Sequence, residues 1–74
     1  MSKLPVGSGR QWVKALKQMG FDLDRQRGSH MILYRPDPPT TVTVPDHREL
    51  DRGTLRAILR QAGVSPSELT DRLS

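Results

Sequence analysis

The sequence RGSHMILYRPDPPTTVTV, residues 27–44, contains two strand-forming segments separated by turn-forming residues. Residues 29–35 suit a β-strand, and residues 41–44 are a β-branched run. Gly28-Ser29 is a two-residue turn signal, because glycine adopts the positive φ that such a turn needs. The weaker alternation of residues 21–27 supplies a strand on the other side of that turn. The region therefore predicts three antiparallel strands.

The second of these strands indicates which face of the sheet is buried, since side chains alternate along a strand. Met31 and Leu33 point to one face, and we expect the core to take this apolar pair. His30, Tyr34 and a partly exposed Ile32 then share the opposite, open face.

A helix is predicted before the strands. Ser8 and Gln11 have the spacing of a capping box, and Gly20 is the expected stop. The apolar residues of this helix fall on one face at helical spacing: Trp12, Ala15, Leu16 and Met19.

Two further helices are predicted after the strands. The first covers residues 52–62, with Asp51 as N-cap and Gly63 at its end; its apolar stripe is Leu55, Ile58, Leu59 and Ala62. The second begins at residues 65–68, another capping-box pattern, and uses Leu69 and Leu73.

This order predicts an α+β fold with two helices on one face of a small sheet and a short C-terminal helix. Residues 36–39, rich in proline, are interpreted as a rigid loop and not as a linker. We expect one domain over residues 1–74, in which residues 1–7 are a flexible N-terminal extension.

The composition narrows the class of protein. There is no cysteine, which excludes disulfides, thiolate nucleophiles and cysteine-based zinc sites. The longest apolar run, residues 31–34, is far too short for a membrane span, so we expect a cytoplasmic protein with no membrane partner. The formal net charge is +4, and residues 1–35 carry seven of the twelve basic residues, which favours a polyanionic partner.

Two histidines are candidates for proton transfer. His30 follows the predicted turn, and its imidazole titrates near neutrality; RNA supplies its own nucleophile, the 2′-hydroxyl. A lone histidine at a hairpin end more often only hydrogen-bonds the backbone. His47 lies in the loop after the third strand, where it could assist His30 or satisfy a turn.

Basic side chains recur at helical spacing on both main helices. Lys14 lies between Arg10 and Lys17 on the first helix. Arg48, Arg52, Arg56 and Arg60 recur at every fourth position along the approach to the second helix and along its length. These stripes suit phosphates, and Tyr34 could stack on a base, although the stripes are also ordinary for solvent-exposed helix faces.

Asp22 and Asp24 are a possible but incomplete magnesium site. Because they lack a third oxygen ligand and are flanked by Arg25 and Arg27, we interpret them as salt-bridged surface residues and expect no metal site.

Four segments in order resemble the HicA toxins, also called YcfA-like proteins: GSH at 28–30, MILYRP at 31–36, VTVPDH at 42–47 and GTLRAILRQAG at 53–63. The resemblance covers about residues 9–73. It implies a fold like a double-stranded-RNA-binding domain and ribosome-independent cleavage of mRNA. It also implies a catalytic histidine at His30 and a HicB antitoxin that blocks this histidine.

The resulting hypothesis is a toxin-type endoribonuclease that needs no metal and no small-molecule cofactor. His30 would be the acid or base, with Gly28 and His47 as auxiliary residues. The expected RNA-contacting residues are Lys14, Arg25, Arg27, Ser29, Tyr34 and Arg35. One alternative is a non-catalytic RNA-binding module. Another is a partner-binding subunit that uses Leu50 and the C-terminal helix as its interface.

Overall fold

The computed structural model describes residues 7–73, without the side chains of Thr70, Arg72 and Leu73. It contains three helices and three strands: α1 (Gly9–Lys17), β1 (Asp22–Arg27), β2 (His30–Pro36), β3 (Pro39–Pro45), α2 (Arg52–Ala62) and α3 (Pro66–Leu73). This order confirms the predicted α+β fold. The predictions for residues 1–6 and for the Leu73 side chain lie outside the described residues.

The strands form one antiparallel sheet in the order β1-β2-β3. Gly28 has φ +58°, as the predicted two-residue turn between β1 and β2 requires. The predicted loop at residues 36–39 is shorter than expected, because Pro36 and Pro39 pair across the second hairpin and only Asp37 and Pro38 form its turn. Proline is tolerated at strand ends, where a missing N–H breaks no ladder bond.

The core lies between the sheet and the helices. Met31 and Leu33 are buried, as predicted, together with Val42 and Val44 of β3. Above this sheet face lie the apolar sides of the helices and the residue before β1: Trp12, Val13, Ala15, Leu16, Phe21, Leu55, Ile58, Leu59, Ala62 and Leu69. The helices therefore cover one face of the sheet and leave the other uncovered.

Side-chain caps set the helix starts as the sequence indicates. Ser8 accepts a hydrogen bond from the Gln11 N–H, and the Gln11 side chain accepts one from the Ser8 N–H, which completes the capping box. Asp51 caps α2 by accepting from the Thr54 N–H at 2.7 Å. Gly63 ends α2 with φ +70°.

Leu50 is a core residue and not an interface residue, so the expectation that it forms a partner surface is wrong. It is 1% exposed, and its N–H donates to the carbonyl of Gly7 at 2.9 Å. The loop between β3 and α2 is thereby tied both to the core and to the chain that leads into α1.

Within residues 7–73 no helix is both long enough and apolar enough to cross a bilayer.

Candidate functional site

His30 is the first residue of β2 and lies on the face of the sheet that the helices leave open. Its cross-strand neighbours are Arg27 on β1 and Pro45 on β3. The side chain is exposed, as predicted, while the next residue, Met31, is buried among the helices. Directly opposed residues on a sheet have Cβ atoms about 4.5–5.5 Å apart, which places the Arg27 side chain beside the imidazole.

A β-bulge in β1 brings a second arginine to the same face. The register shifts between Leu23, which is opposite Leu33, and Arg25, which is opposite Ile32. Without the bulge, Leu23 and Arg25 would share one face, because they are two residues apart. With it, Leu23 falls on the helix side of the sheet, where it remains 42% exposed, and Arg25 joins Arg27 on the open face.

The open face carries two arginines at the His30 end and Asp22 near the other end. Within the described chain, Arg25 and Arg27 are exposed and form no ion pair. Tyr34, 42% exposed, is opposite Asp22 near the other end of the hairpin. Within residues 7–73 the open face therefore offers two arginines without ion pairs, an exposed imidazole and a partly exposed aromatic ring.

The turn before His30 is held by a network that the sequence analysis did not identify. The Asp46 carboxylate accepts hydrogen bonds from Arg10 (Nε at 3.1 Å, Nη2 at 3.3 Å) and from Gln26 Nε2 at 3.2 Å. Gln26 Nε2 also donates to the Gly28 carbonyl at 3.2 Å, and the Asp46 N–H donates to the Ser29 carbonyl. Its members come from α1, β1 and the loop after β3, so no local pattern joins them.

This network favours the ionised form of the Asp46 carboxylate. The side-chain hydrogen bond from Arg10 is the main reason that the pKa of Asp46 lies below its ordinary value. The same pair raises the pKa of Arg10. A charge-assisted, two-pronged contact of this kind fixes geometry as well as charge.

The sequence matches a known protein family. A model of the HicA toxin of bacterial toxin–antitoxin systems matches residues 9–64, about three quarters of the 74-residue chain. The chain belongs to the HicA toxin family. It is therefore a toxin of the RNase type at the level of its family, and its partner is an antitoxin. No curated protein matches the sequence.

Two residues expected to contact RNA in this HicA protein lie away from His30. Arg35 lies on the same face of β2 as Met31 and Leu33, because side chains two residues apart on a strand share a face. Its guanidinium stacks over the Phe21 ring, at 4.6 Å from the ring centroid. Its Nη2 also donates to Thr40 Oγ1 and to the Ala62 carbonyl, which ties β2 to the end of α2.

Lys14 is exposed on α1, in the helix layer on the other side of the sheet. The structure does not bring it to the open face.

The remaining predicted residues lie beside the turn. Ser29 and Gly28 form the turn itself, and both are exposed. His47 is exposed in the loop after β3, and its carbonyl accepts from the Gly9 N–H at 2.9 Å. This backbone bond anchors the start of α1 next to the His30 end of the sheet.

The interpretation of Asp22 and Asp24 as salt-bridged residues is wrong. Within the described residues neither forms an ion pair with Arg25 or Arg27. The bulge at Asp24 breaks the strict alternation that this expectation assumed. The described part of the chain also contains no group of three His, Cys, Asp or Glu side chains close enough to hold a metal ion.

Proposed function

We propose that this HicA-family toxin is an endoribonuclease that cleaves mRNA in the cytoplasm, with His30 as the proton-transfer residue. The observation that carries the proposal is the register of β2. It places an exposed imidazole on the sheet face opposite the helices, directly across from Arg27, which forms no ion pair within residues 7–73.

The chemistry requires little from the protein, because RNA carries its own nucleophile. His30, as a base, would take the proton of a ribose 2′-hydroxyl while that oxygen attacks the adjacent phosphorus. The bond to the 5′-oxygen then breaks, which leaves a 2′,3′-cyclic phosphate and a 5′-hydroxyl. A proton must also reach the leaving oxygen, from His30 after it is protonated or from a second group. No metal ion takes part in this scheme.

Arg27 and Arg25 would supply the charge that this reaction needs. The phosphorus centre gains negative charge in the transition state, and a cation held beside it stabilises that charge. Both arginines also neutralise phosphates of the bound strand. Tyr34 would stack on an unpaired base, and the Ser29 hydroxyl would donate to a phosphate at the turn.

The proposed partner is a HicB-type antitoxin that covers the open face. Coverage of His30 and of the two arginines would block substrate and proton transfer together. Lys14 and Arg35 do not enter this proposal, because they lie on the helix side of the sheet.

The test of catalysis compares the wild type with His30→Ala on a labelled transcript in the presence of EDTA. The wild type is expected to cleave, whereas His30→Ala is expected to bind with unchanged affinity and to leave the transcript intact. Because His30 is exposed, its removal leaves the core unchanged. Cleavage by His30→Ala at the wild-type rate would refute the role of the imidazole. Binding without cleavage by both proteins would instead favour a non-catalytic RNA-binding module.

The test of the binding face compares two double variants with the same change in charge. Arg25→Gln/Arg27→Gln removes cations from the open face, and Arg56→Gln/Arg60→Gln removes exposed cations from α2 in the helix layer. The slope of log affinity against log salt for single-stranded RNA is expected to fall by about 1.4 in the first variant only. Equal losses in the two variants would contradict the assignment of the open face.

A further inference from the structure

The backbone turn before His30 is held by polar contacts and not by packing. Both Gly28 and Ser29 are exposed, and a Cβ placed on Gly28 would meet no atom within 4 Å. Their carbonyls nevertheless have donors. Gln26 Nε2 donates to the Gly28 carbonyl at 3.2 Å, and the Asp46 N–H donates to the Ser29 carbonyl at 2.6 Å.

Asp46 connects these two donors: one of them is its own N–H, and its carboxylate binds the other, the Gln26 amide. Asp46 Oδ2 accepts from the same Gln26 Nε2 at 3.2 Å, so the amide that binds the turn is itself held by Asp46. The carboxylate is fixed from its other side by Arg10, whose Nε and Nη2 donate to Oδ1 and Oδ2. The Asp46 side chain is 19% exposed, against 78% for Arg10, so the carboxylate is enclosed by the groups that it joins.

We propose that Asp46 is a positioning residue of the ribonuclease site: together with Gln26 it holds the Gly28-Ser29 turn in place and thereby sets where the His30 imidazole meets the RNA. The inference rests on the proposed function of His30. Asp46 itself touches neither the substrate nor the reacting atoms in this scheme. It acts through the turn.

Gln26, Asp46 and Arg10 form a clamp on the turn, and the need for it follows from the exposure of His30. A buried catalytic side chain is held by its neighbours, whereas His30 stands at a hairpin end on the open face. Its position then depends on the backbone of the turn. Reaction rates are sensitive to this, since a displacement of about 1 Å can lower a rate by about a hundredfold.

The experiment measures cleavage and binding separately in variants of the clamp. Gln26→Met removes both bonds of the amide, and Asp46→Ala removes the carboxylate. Each is expected to lower single-turnover cleavage by about ten- to a hundredfold. Affinity for a 2′-O-methyl RNA, which lacks the nucleophile, should stay within about twofold of the wild type. Gln18→Met, at an exposed position that ends α1, is the matched control and should cleave like the wild type.

Two further variants distinguish positioning from general loss of structure. Asp46→Asn keeps one acceptor oxygen and should retain more cleavage than Asp46→Ala. Arg10→Gln leaves the bond between Gln26 and Asp46 in place and should lower cleavage less than Gln26→Met does. This graded order is what a clamp predicts, because the loss follows the number of bonds that reach the turn.

Several outcomes would overturn the inference. One is wild-type cleavage by both Gln26→Met and Asp46→Ala; another is a parallel loss of cleavage and of binding. If Asp46→Ala does not fold, Gln26→Met decides alone, because Gln26 is exposed. Failure of the proposed function has a different signature. In that case His30→Ala cleaves like the wild type, whatever the clamp variants do.

Discussion

Replacement of Gly9 by alanine tests how α1 is docked on the His30 end of the sheet. Gly9 is buried, and its N–H donates to the His47 carbonyl at 2.9 Å. A Cβ at this position would overlap the Pro45 carbonyl oxygen, and it would also approach the Pro45 carbonyl carbon at 3.0 Å and Met31 Cε at 3.2 Å. The first two of these atoms belong to the backbone, so a rotamer change cannot remove the clash.

The change in the free energy of unfolding of Gly9→Ala is the difference between two opposed contributions. Overpacking of this kind costs about 1–3 kcal/mol, while alanine in a helix is favoured over glycine by up to about 1 kcal/mol. We therefore expect Gly9→Ala to lower the free energy of unfolding by about 1–2 kcal/mol. For a domain of this size that corresponds to a decrease in Tm of roughly 4–16 °C.

Gly53→Ala is the matched control, because Gly53 is exposed and lies in α2. Its Cβ would meet only Asp51 Oδ1, at an ordinary 3.4 Å. Here the helix preference acts alone, and because Gly53 is in the first turn of α2 we expect stabilisation by at most about 0.5–1 kcal/mol, the value for a helix interior. Thermal unfolding of both variants by circular dichroism measures the two signs. Stabilisation of Gly9→Ala to the same extent as Gly53→Ala would refute the close contact between α1 and the end of β3.

Three further predictions concern the core, the open face and acid stability. Leu33→Ala, in the fully buried centre of β2, should lower the free energy of unfolding by about 2–5 kcal/mol in a denaturant titration. Tyr34→Ala should leave folding unchanged and weaken RNA binding by about 1–3 kcal/mol in a filter-binding or anisotropy assay. Hydrogen bonds lower the pKa of Asp46 and of Asp51 below the ordinary value of 3.8. The two carboxylates therefore stabilise the fold fully above that pH, and this stabilisation is lost as the pH falls through their lowered pKa. Asp46→Asn should accordingly flatten the acid limb of a curve of Tm against pH.

The elements of the fold could be predicted because their signals are local. Alternation along β2 indicated the buried face, and the capping residues Ser8 and Asp51 marked the starts of α1 and α2. Glycines Gly28 and Gly63 were predicted at a turn and a helix end, and both have positive φ. In each case the residues that give the signal lie within four positions of the strand, turn or helix end that they indicate.

Arg35 shows a signal that was present in the sequence but not used. The alternation that buries Met31 and Leu33 also places Arg35 on the helix side, where it stacks on Phe21. Its positive charge had suggested a phosphate contact instead. A long cationic side chain on the apolar face of a strand can pack its stem and bond its head to the backbone, as Arg35 does with Ala62.

The clamp and the bulge could not be predicted from local patterns. Arg10 and Asp46 are 36 residues apart, and Gln26 and Asp46 are 20 apart, so only the register of the folded sheet brings them together. The bulge has only a weak signal in the sequence. Leu23 and Arg25 would share a face in a regular strand, and the extra residue places them on opposite faces, although Leu23 remains 42% exposed.

The most direct measurement is the chemical identity of the RNA ends after cleavage in EDTA. In the proposed mechanism the 2′-hydroxyl attacks the phosphorus and His30 transfers the proton. This predicts 2′,3′-cyclic phosphate and 5′-hydroxyl ends from the wild type. It predicts neither end from His30→Ala, nor any cleavage of a transcript with 2′-deoxyribose at the cut position. Products with a 5′-phosphate, or cleavage of the 2′-deoxy substrate, would contradict the mechanism.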